Sequence, residues 1–135
     1  MESKNLKINV PDGMRDLVFG DCRRYSAIER RLAEVYESLG YREVRTPALE
    51  YLEVFDGGSA LPRERMYKLT DNSGRLLALR ADNTMPMARV AATKLLGELP
   101  ALLYYNQSVF AVQGENSGRA GEIIQSGVEI IGAPA

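Results

Sequence analysis

The chain has 135 residues, 45% apolar and 26% charged, a length and balance that suit one domain with a buried core and leave no room for a second. Seventeen Lys and Arg against eighteen Asp and Glu give a net charge of −1, so no global field favours nucleic acid or an anionic membrane. There is no histidine and one cysteine, Cys22, which excludes His-based catalysis, His or thiolate metal cages and an internal disulfide, and suits a reducing cytosol.

Met1–Val10 has no apolar signal core, and no apolar run approaches the roughly 18 residues of a membrane span. Residues 1–20 read as an arm with a turn-rich stretch from Pro11 to Asp16. A helix is predicted from about Asp21 to Leu39, with Cys22, Tyr25, Ile28, Leu32, Val35 and Leu39 forming one apolar stripe. Asp21 is placed to cap its start and Gly40 to end it in the left-handed conformation. Arg23, Arg24, Arg30 and Arg31 on this helix read as a solvated face or a basic binding patch. Tyr41–Thr46 reads as a strand stopped by Pro47, and Leu49–Phe55 either continues it or forms a short turn of helix.

Residues 56–65 form a loop with Gly57, Gly58 and Pro62. A hairpin is predicted next: Met66–Thr70, a turn over Asp71–Gly74, then Arg75–Arg80. A second helix is expected over Pro86–Leu96, opened by Pro86 and closed by Gly97. Two long strands follow, about Leu102–Val112 and Glu122–Ile131. The polar loop between them carries Gly114, Gly118 and Gly121. With one cation, and joining two strands rather than opening a helix, it reads as a mobile hairpin loop, not a phosphate cradle.

This order of elements is an α+β pattern, an antiparallel sheet with helices on one side. Side chains alternate faces along a strand, so Gln125 and Glu129 point the same way, about 13 Å apart at a rise of roughly 3.3 Å per residue. Gly127 between them leaves an open floor. A polar small molecule fits such a face, with the amide at one end and the carboxylate at the other; the other reading is a simply wet face. In Leu79-Arg80-Ala81-Asp82-Asn83-Thr84-Met85-Pro86 a strand runs into a helix start. Asp82 and Thr84 there either cap the helix or face a ligand cavity.

Taken in order, these segments resemble the class II aminoacyl-tRNA synthetase catalytic fold, in its histidyl-tRNA synthetase-like branch. The helix ending at Gly40, the strand and Pro47 look like that class's first motif, about residues 21–47, which builds its dimer interface. Arg80-Ala81-Asp82-Asn83-Thr84 is similar to the branch's Arg-Pro-Glu-x-Thr amino-acid-binding segment. The hairpin over about 102–132 looks like the second motif, and Gln125-Ser126-Gly127-Val128-Glu129 matches a Gln-x-Gly-x-Glu strand.

Within the branch, the wording of Leu79–Arg89 and of Leu103–Phe110 looks closest to the regulatory subunits of ATP phosphoribosyltransferase, paralogues without ligase activity. A synthetase's second motif needs Phe-Arg-x-Glu, whose Arg holds the α-phosphate; here Phe110-Ala111-Val112-Gln113 stands there. Ile123 replaces the aromatic expected to stack on adenine. Loss of one such donor commonly costs roughly 100- to 1,000-fold in rate. Ala111 also departs from many regulatory subunits, which keep that Arg.

The resemblance therefore implies a cytoplasmic, non-catalytic subunit in the first step of histidine biosynthesis. It would support a catalytic ATP phosphoribosyltransferase subunit, form a homodimer through the first motif, and bind free histidine as effector through Asp82, Thr84, Gln125 and Glu129. It implies no catalytic residue, cofactor, metal, membrane or nucleic-acid partner. A third motif would lie beyond residue 135, which implies that this chain is a partial synthetase-like domain. The rival readings are the N-terminal part of a histidine–tRNA ligase and a scaffold that pairs only with its own kind.

Overall fold

A computed structural model describes residues 8–114 and 117–134. The first seven residues of the arm, and Glu115 and Asn116 of the polar loop, lie outside the described residues. The fold is α+β, as expected. Its helices are α1 (Gly20–Ser38) and α2 (Thr84–Lys94). Its strands are β1 (Arg42–Glu43), β2 (Leu49–Tyr51), β3 (Lys68–Thr70), β4 (Leu76–Leu79), β5 (Ala101–Phe110) and β6 (Glu122–Ile131). They form two three-stranded sheets, ordered β1-β5-β6 and β2-β4-β3.

The predicted long hairpin is the backbone of the first sheet. β5 and β6 pair antiparallel from Ala101↔Ile131 to Phe110↔Glu122. β5 ends at Phe110, earlier than the predicted Val112, because the Val112 N–H turns away to donate to Arg65 O at 2.7 Å. β1 joins β5 in parallel, so this sheet is mixed. The helices sit on both of its faces rather than one. Tyr104 and Ser126 face α1, whereas Leu103 and Tyr105 face α2 and pack with its Met87. The second sheet contains the predicted hairpin. Asp71 Oδ1 accepts the N–H groups of Ser73 and Arg75, and Gly74 takes the left-handed φ of 79° in the turn. Leu49–Phe55 resolves into β2 followed by a one-turn helix over Leu52–Phe55.

α1 meets the sheet through a face different from the predicted stripe. Ile28, Val35 and Leu39 of that stripe are exposed, and no residue of the helix is buried. The contact is made by polar tips instead: the Tyr36 hydroxyl lies 3.1 Å from Ser126 Oγ, and the Tyr104 hydroxyl donates to Glu37 at 2.7 Å. Asp21 sits inside the first turn and is not a cap. Gly40, at φ 86°, closes the helix as expected: its N–H reaches Glu37 O and the Tyr41 N–H reaches Tyr36 O, while the Tyr36 and Tyr41 rings meet edge to face.

α2 begins at Thr84, so Pro86 lies within its first turn. It ends at Lys94; Gly97 falls in a separate one-turn helix (Leu96–Glu98) and is not the terminator. This helix lies between two apolar clusters. Met85 packs on Leu52, Phe55, Met66 and Ala78, and Met87 on Ala101, Leu103 and Tyr105.

Arg80 joins the two sheets. It is 5% exposed and donates to Thr46 O at 2.9 Å, Pro47 O at 3.0 Å and Ser108 O at 2.8 Å. Burial pushes its guanidinium down from the ordinary range, and Glu50 opposes that shift. Its side chain thus ties the end of the β1 segment and the middle of β5 to the strand that leads into α2.

Two outcomes follow from these contacts. Arg80→Met, which strands three carbonyl oxygens, is expected to lower the unfolding free energy by about 3 kcal/mol, and Arg80→Lys by about half as much, in urea denaturation. Burial, then the bond to Glu37, push the Tyr104 hydroxyl up to about 12 from its ordinary 10.0. The unfolded chain releases that proton first, so stability is intact below about pH 10 and falls as pH rises towards about 12. Tyr104→Phe should remove this part of the alkaline loss when denaturation midpoints are compared across that window.

Candidate functional site

All four predicted site residues come together where α2 starts over the face of β6. Thr84 Oγ1 donates to Glu129 Oε1 at 2.7 Å. Asn83 Nδ2 donates to Gln125 Oε1 at 2.8 Å. Asp82 Oδ1 accepts the Met85 N–H at 2.9 Å, so Asp82 does cap the helix. Its other oxygen, Oδ2, is buried and has no hydrogen-bond partner. Capping therefore uses one oxygen of the carboxylate and leaves the other buried without a bond.

The floor between Gln125 and Glu129 is not open as predicted. Gly127 pairs with Tyr105 across the hairpin, and the Tyr105 side chain lies over it. A Cβ on Gly127 would come within 2.5 Å of the Tyr105 hydroxyl oxygen. Glycine is needed here for close approach of the ring, which covers this part of the β6 face. Burial pushes that hydroxyl up from its ordinary range, and the Glu129 and Asp82 charges add to the shift.

Three further residues belong to the site and were missed in the sequence. Asn83, 1% exposed, lies between Gln125 and Gln107. Gln107 donates to Asn83 Oδ1 at 2.9 Å, and its Oε1 accepts the Thr46 N–H at 3.0 Å. Tyr105 is the third. The signal for Gln107 and Tyr105 was strand parity, since both share the Leu103 face of β5 and stand opposite Gln125 and Gly127. That signal could be used only once the hairpin register was known.

The positions resembling a nucleotide grip are arranged differently. Ala111 continues the hairpin, its N–H donating to Gly121 O at 2.9 Å. The cation near Gln113 comes from outside the segment: Arg65 donates to Gln113 Oε1 at 3.2 Å. A cavity of about 820 Å³ lies at this end of the hairpin against the arm and holds none of the four predicted residues. There the arm is fastened by the Gly121 N–H donating to Gly13 O at 2.7 Å, and Arg15 donates to the Tyr25 hydroxyl at 2.6 Å. Among the described residues no group of three His, Cys, Asp or Glu is placed to hold a metal, and no helix is long and apolar enough to cross a membrane.

Comparison with known proteins decides the family. A family profile described as histidyl-tRNA synthetase matches residues 13–135. The chain belongs to the histidyl-tRNA synthetase family. Its curated relatives include ATP phosphoribosyltransferase regulatory subunits from Clostridium kluyveri, 43% identical over 95% of this chain and 33% of the relative, and from Symbiobacterium thermophilum, 42% identical over 99% of this chain and 34% of the relative. A solved ATP phosphoribosyltransferase regulatory subunit/histidyl-tRNA synthetase from Bacillus halodurans superposes with a TM-score of 0.82 at 34% identity, over 91% of this chain and 32% of that one. The apo histidyl-tRNA synthetase of S. aureus superposes at 0.76 and 32% identity, over 93% of this chain and 30% of that one. The chain thus spans about a third of the length of the relatives it matches.

Filling the close contact should disturb the cleft floor. Gly127→Ala is expected to lower the unfolding free energy by about 1–3 kcal/mol through overpacking. Adding Tyr105→Phe should recover part of that loss, because one of the two nearest atoms is the hydroxyl oxygen. A double-mutant denaturation cycle measures the coupling.

Proposed function

We propose that this chain acts in a non-catalytic regulatory subunit of ATP phosphoribosyltransferase, in the first step of histidine biosynthesis in the cytoplasm. It binds the catalytic subunit, supports its turnover and transmits feedback from free histidine, and it pairs with a second copy through the region ending at Pro47. The observation that carries this reading is a contrast between two regions along the β5–β6 hairpin, one of them completed by the start of α2. Asp82, Thr84, Gln125 and Glu129 converge where α2 starts over β6, while Ala111, Gln113 and Ile123 stand at positions resembling those with which a ligase grips ATP.

The chemistry of the cleft suits an amino acid. Glu129 and the free oxygen of Asp82 are acceptors for an ammonium or a ring N–H, and the Tyr105 hydroxyl lies near both carboxylates. Asp82 is a carboxylate whose unpartnered oxygen is already desolvated, so a cationic donor there recovers a bond that the apo cleft lacks. No residue of the chain is assigned to bond making.

Calorimetry with free histidine is expected to give a saturable heat that weakens at least about tenfold in Glu129→Gln, which removes the charge but keeps the shape. Addition of the protein to its cognate catalytic subunit should change turnover. No binding to that subunit and no change in turnover would overturn the regulatory reading, and histidine-dependent pyrophosphate exchange would point to a ligase instead.

A further inference from the structure

We propose that a single backbone N–H, that of Thr46, sets the donor and acceptor polarity of the cleft through a relay of three side-chain amides. A primary amide has one end that only accepts and one that only donates, so each amide in a chain passes its orientation to the next. The Thr46 N–H can only donate, and it reaches Gln107 Oε1 at 3.0 Å. Gln107 must therefore turn its Nε2 onward, and that nitrogen donates to Asn83 Oδ1 at 2.9 Å. Asn83 must in turn present Nδ2, which donates to Gln125 Oε1 at 2.8 Å. The last amide has no freedom left: Gln125 offers its NH2 group to the cleft, and among the described residues that group has no protein partner.

The relay is held at its origin. Arg80 donates to Thr46 O at 2.9 Å, and Gln107 Nε2 also contacts Thr46 Oγ1 at 3.2 Å. Thr46 is 8% exposed and Asn83 1% exposed, so water does not readily substitute for either bond. Asn83 and Gln107 are thus positioning residues, acting through Gln125 rather than on a ligand.

The consequence concerns what the cleft selects. The Glu129 end accepts and the Gln125 end donates. A ligand must then place a hydrogen-bond acceptor, a carboxylate or an unprotonated ring nitrogen, against Gln125. This part rests on reading the cleft as an amino-acid site; the relay itself does not.

Two near-isosteric variants reverse the polarity. Gln107→Glu still accepts from Thr46 but cannot donate to Asn83. Asn83 must then flip, and Gln125 must donate its NH2 to the exposed Asn83 oxygen. Asn83→Asp produces the same reversal one step later. Side-chain amide NMR in mildly alkaline buffer reads this directly, with Gln125→Ala assigning the Gln125 pair. In the unaltered chain the Gln107 and Asn83 NH2 protons are expected to exchange at least about tenfold more slowly than those of Gln125. In either variant the Gln125 pair should join the slowly exchanging ones. A protected Gln125 pair in the unaltered chain, or an unchanged one in whichever variant keeps the native spectrum elsewhere, overturns the relay. Histidine affinity should fall about tenfold in the same variants. Unchanged affinity alongside an inverted amide pattern overturns the ligand consequence alone, and absence of histidine binding by the unaltered chain overturns the functional reading while leaving the relay decided.

Discussion

A buried guanidinium surrounded by carbonyl oxygens organises this fold. Burying a cation is costly unless its donors are satisfied. Arg80 meets that requirement with the carbonyl groups of Thr46, Pro47 and Ser108 rather than with a carboxylate. Five fixed N–H donors in one plane suit three acceptors that arrive from different directions, which a lysine ammonium on a flexible stem matches less well. Because those acceptors belong to the segment after β1 and to β5, satisfying one side chain fixes how the small sheet and the large sheet sit relative to each other. Glu50 is not spent on Arg80; it forms a two-pronged pair with Arg89 on α2. The helix is thereby also tied to β2 of the small sheet.

The site inherits its geometry from this junction. Arg80 is two residues before Asp82 and four before Thr84, so fixing the arginine fixes where the helix start meets β6. Thr84 then has no choice but to face Glu129, and Asn83 to face Gln125. Tyr105 fills the space that Gly127 opens, and the β5–β6 register that pairs them is set by ten consecutive residue pairs. Positioning residues and contact residues thus share two strands and one helix turn. This arrangement holds side chains more rigidly than loops do.

Much of this was legible in the residues, for identifiable reasons. Alternation along Glu122–Ile131 placed Gln125 and Glu129 on one face, because a strand has a fixed period of two. Gly40 marked the end of α1, because a positive φ costs other residues about 1 kcal/mol. What failed required knowledge of neighbours. The apolar stripe of α1 suggested one packing face, yet the tyrosine tips of Tyr36 and Tyr104 decided another through hydrogen bonds that a hydrophobic pattern does not encode. Gly127 read as open space, because the ring that covers it comes from the opposite strand. Gln107 had no partner to be read against until the register set it opposite Gln125. Gly97 looked like a helix stop, but α2 ends three residues before it, at Lys94, and Gly97 adopts no positive φ.

The contrast between the two ends of the β5–β6 hairpin is a matter of charge. A polyphosphate needs cations or clustered N–H donors aimed at it. At the loop end, position 111 holds a methyl group and Arg65 is engaged with Gln113 and Val112, which leaves Arg119 as the loop's own cation lining the cavity. Arg15 is likewise engaged with Tyr25. At the middle of the hairpin the groups are different: Asp82 and Glu129 bring carboxyl side chains, Tyr105 lies over Gly127, and the other side chains bonded there are amides and a threonine. An anionic nucleotide placed there would meet two carboxylates and a single NH2 group, whereas a zwitterion meets a complementary partner at each end. On the proposed reading, the α2 start and the β6 face would suit a small molecule with separated charges better than a triphosphate, with side chains oriented by their neighbours.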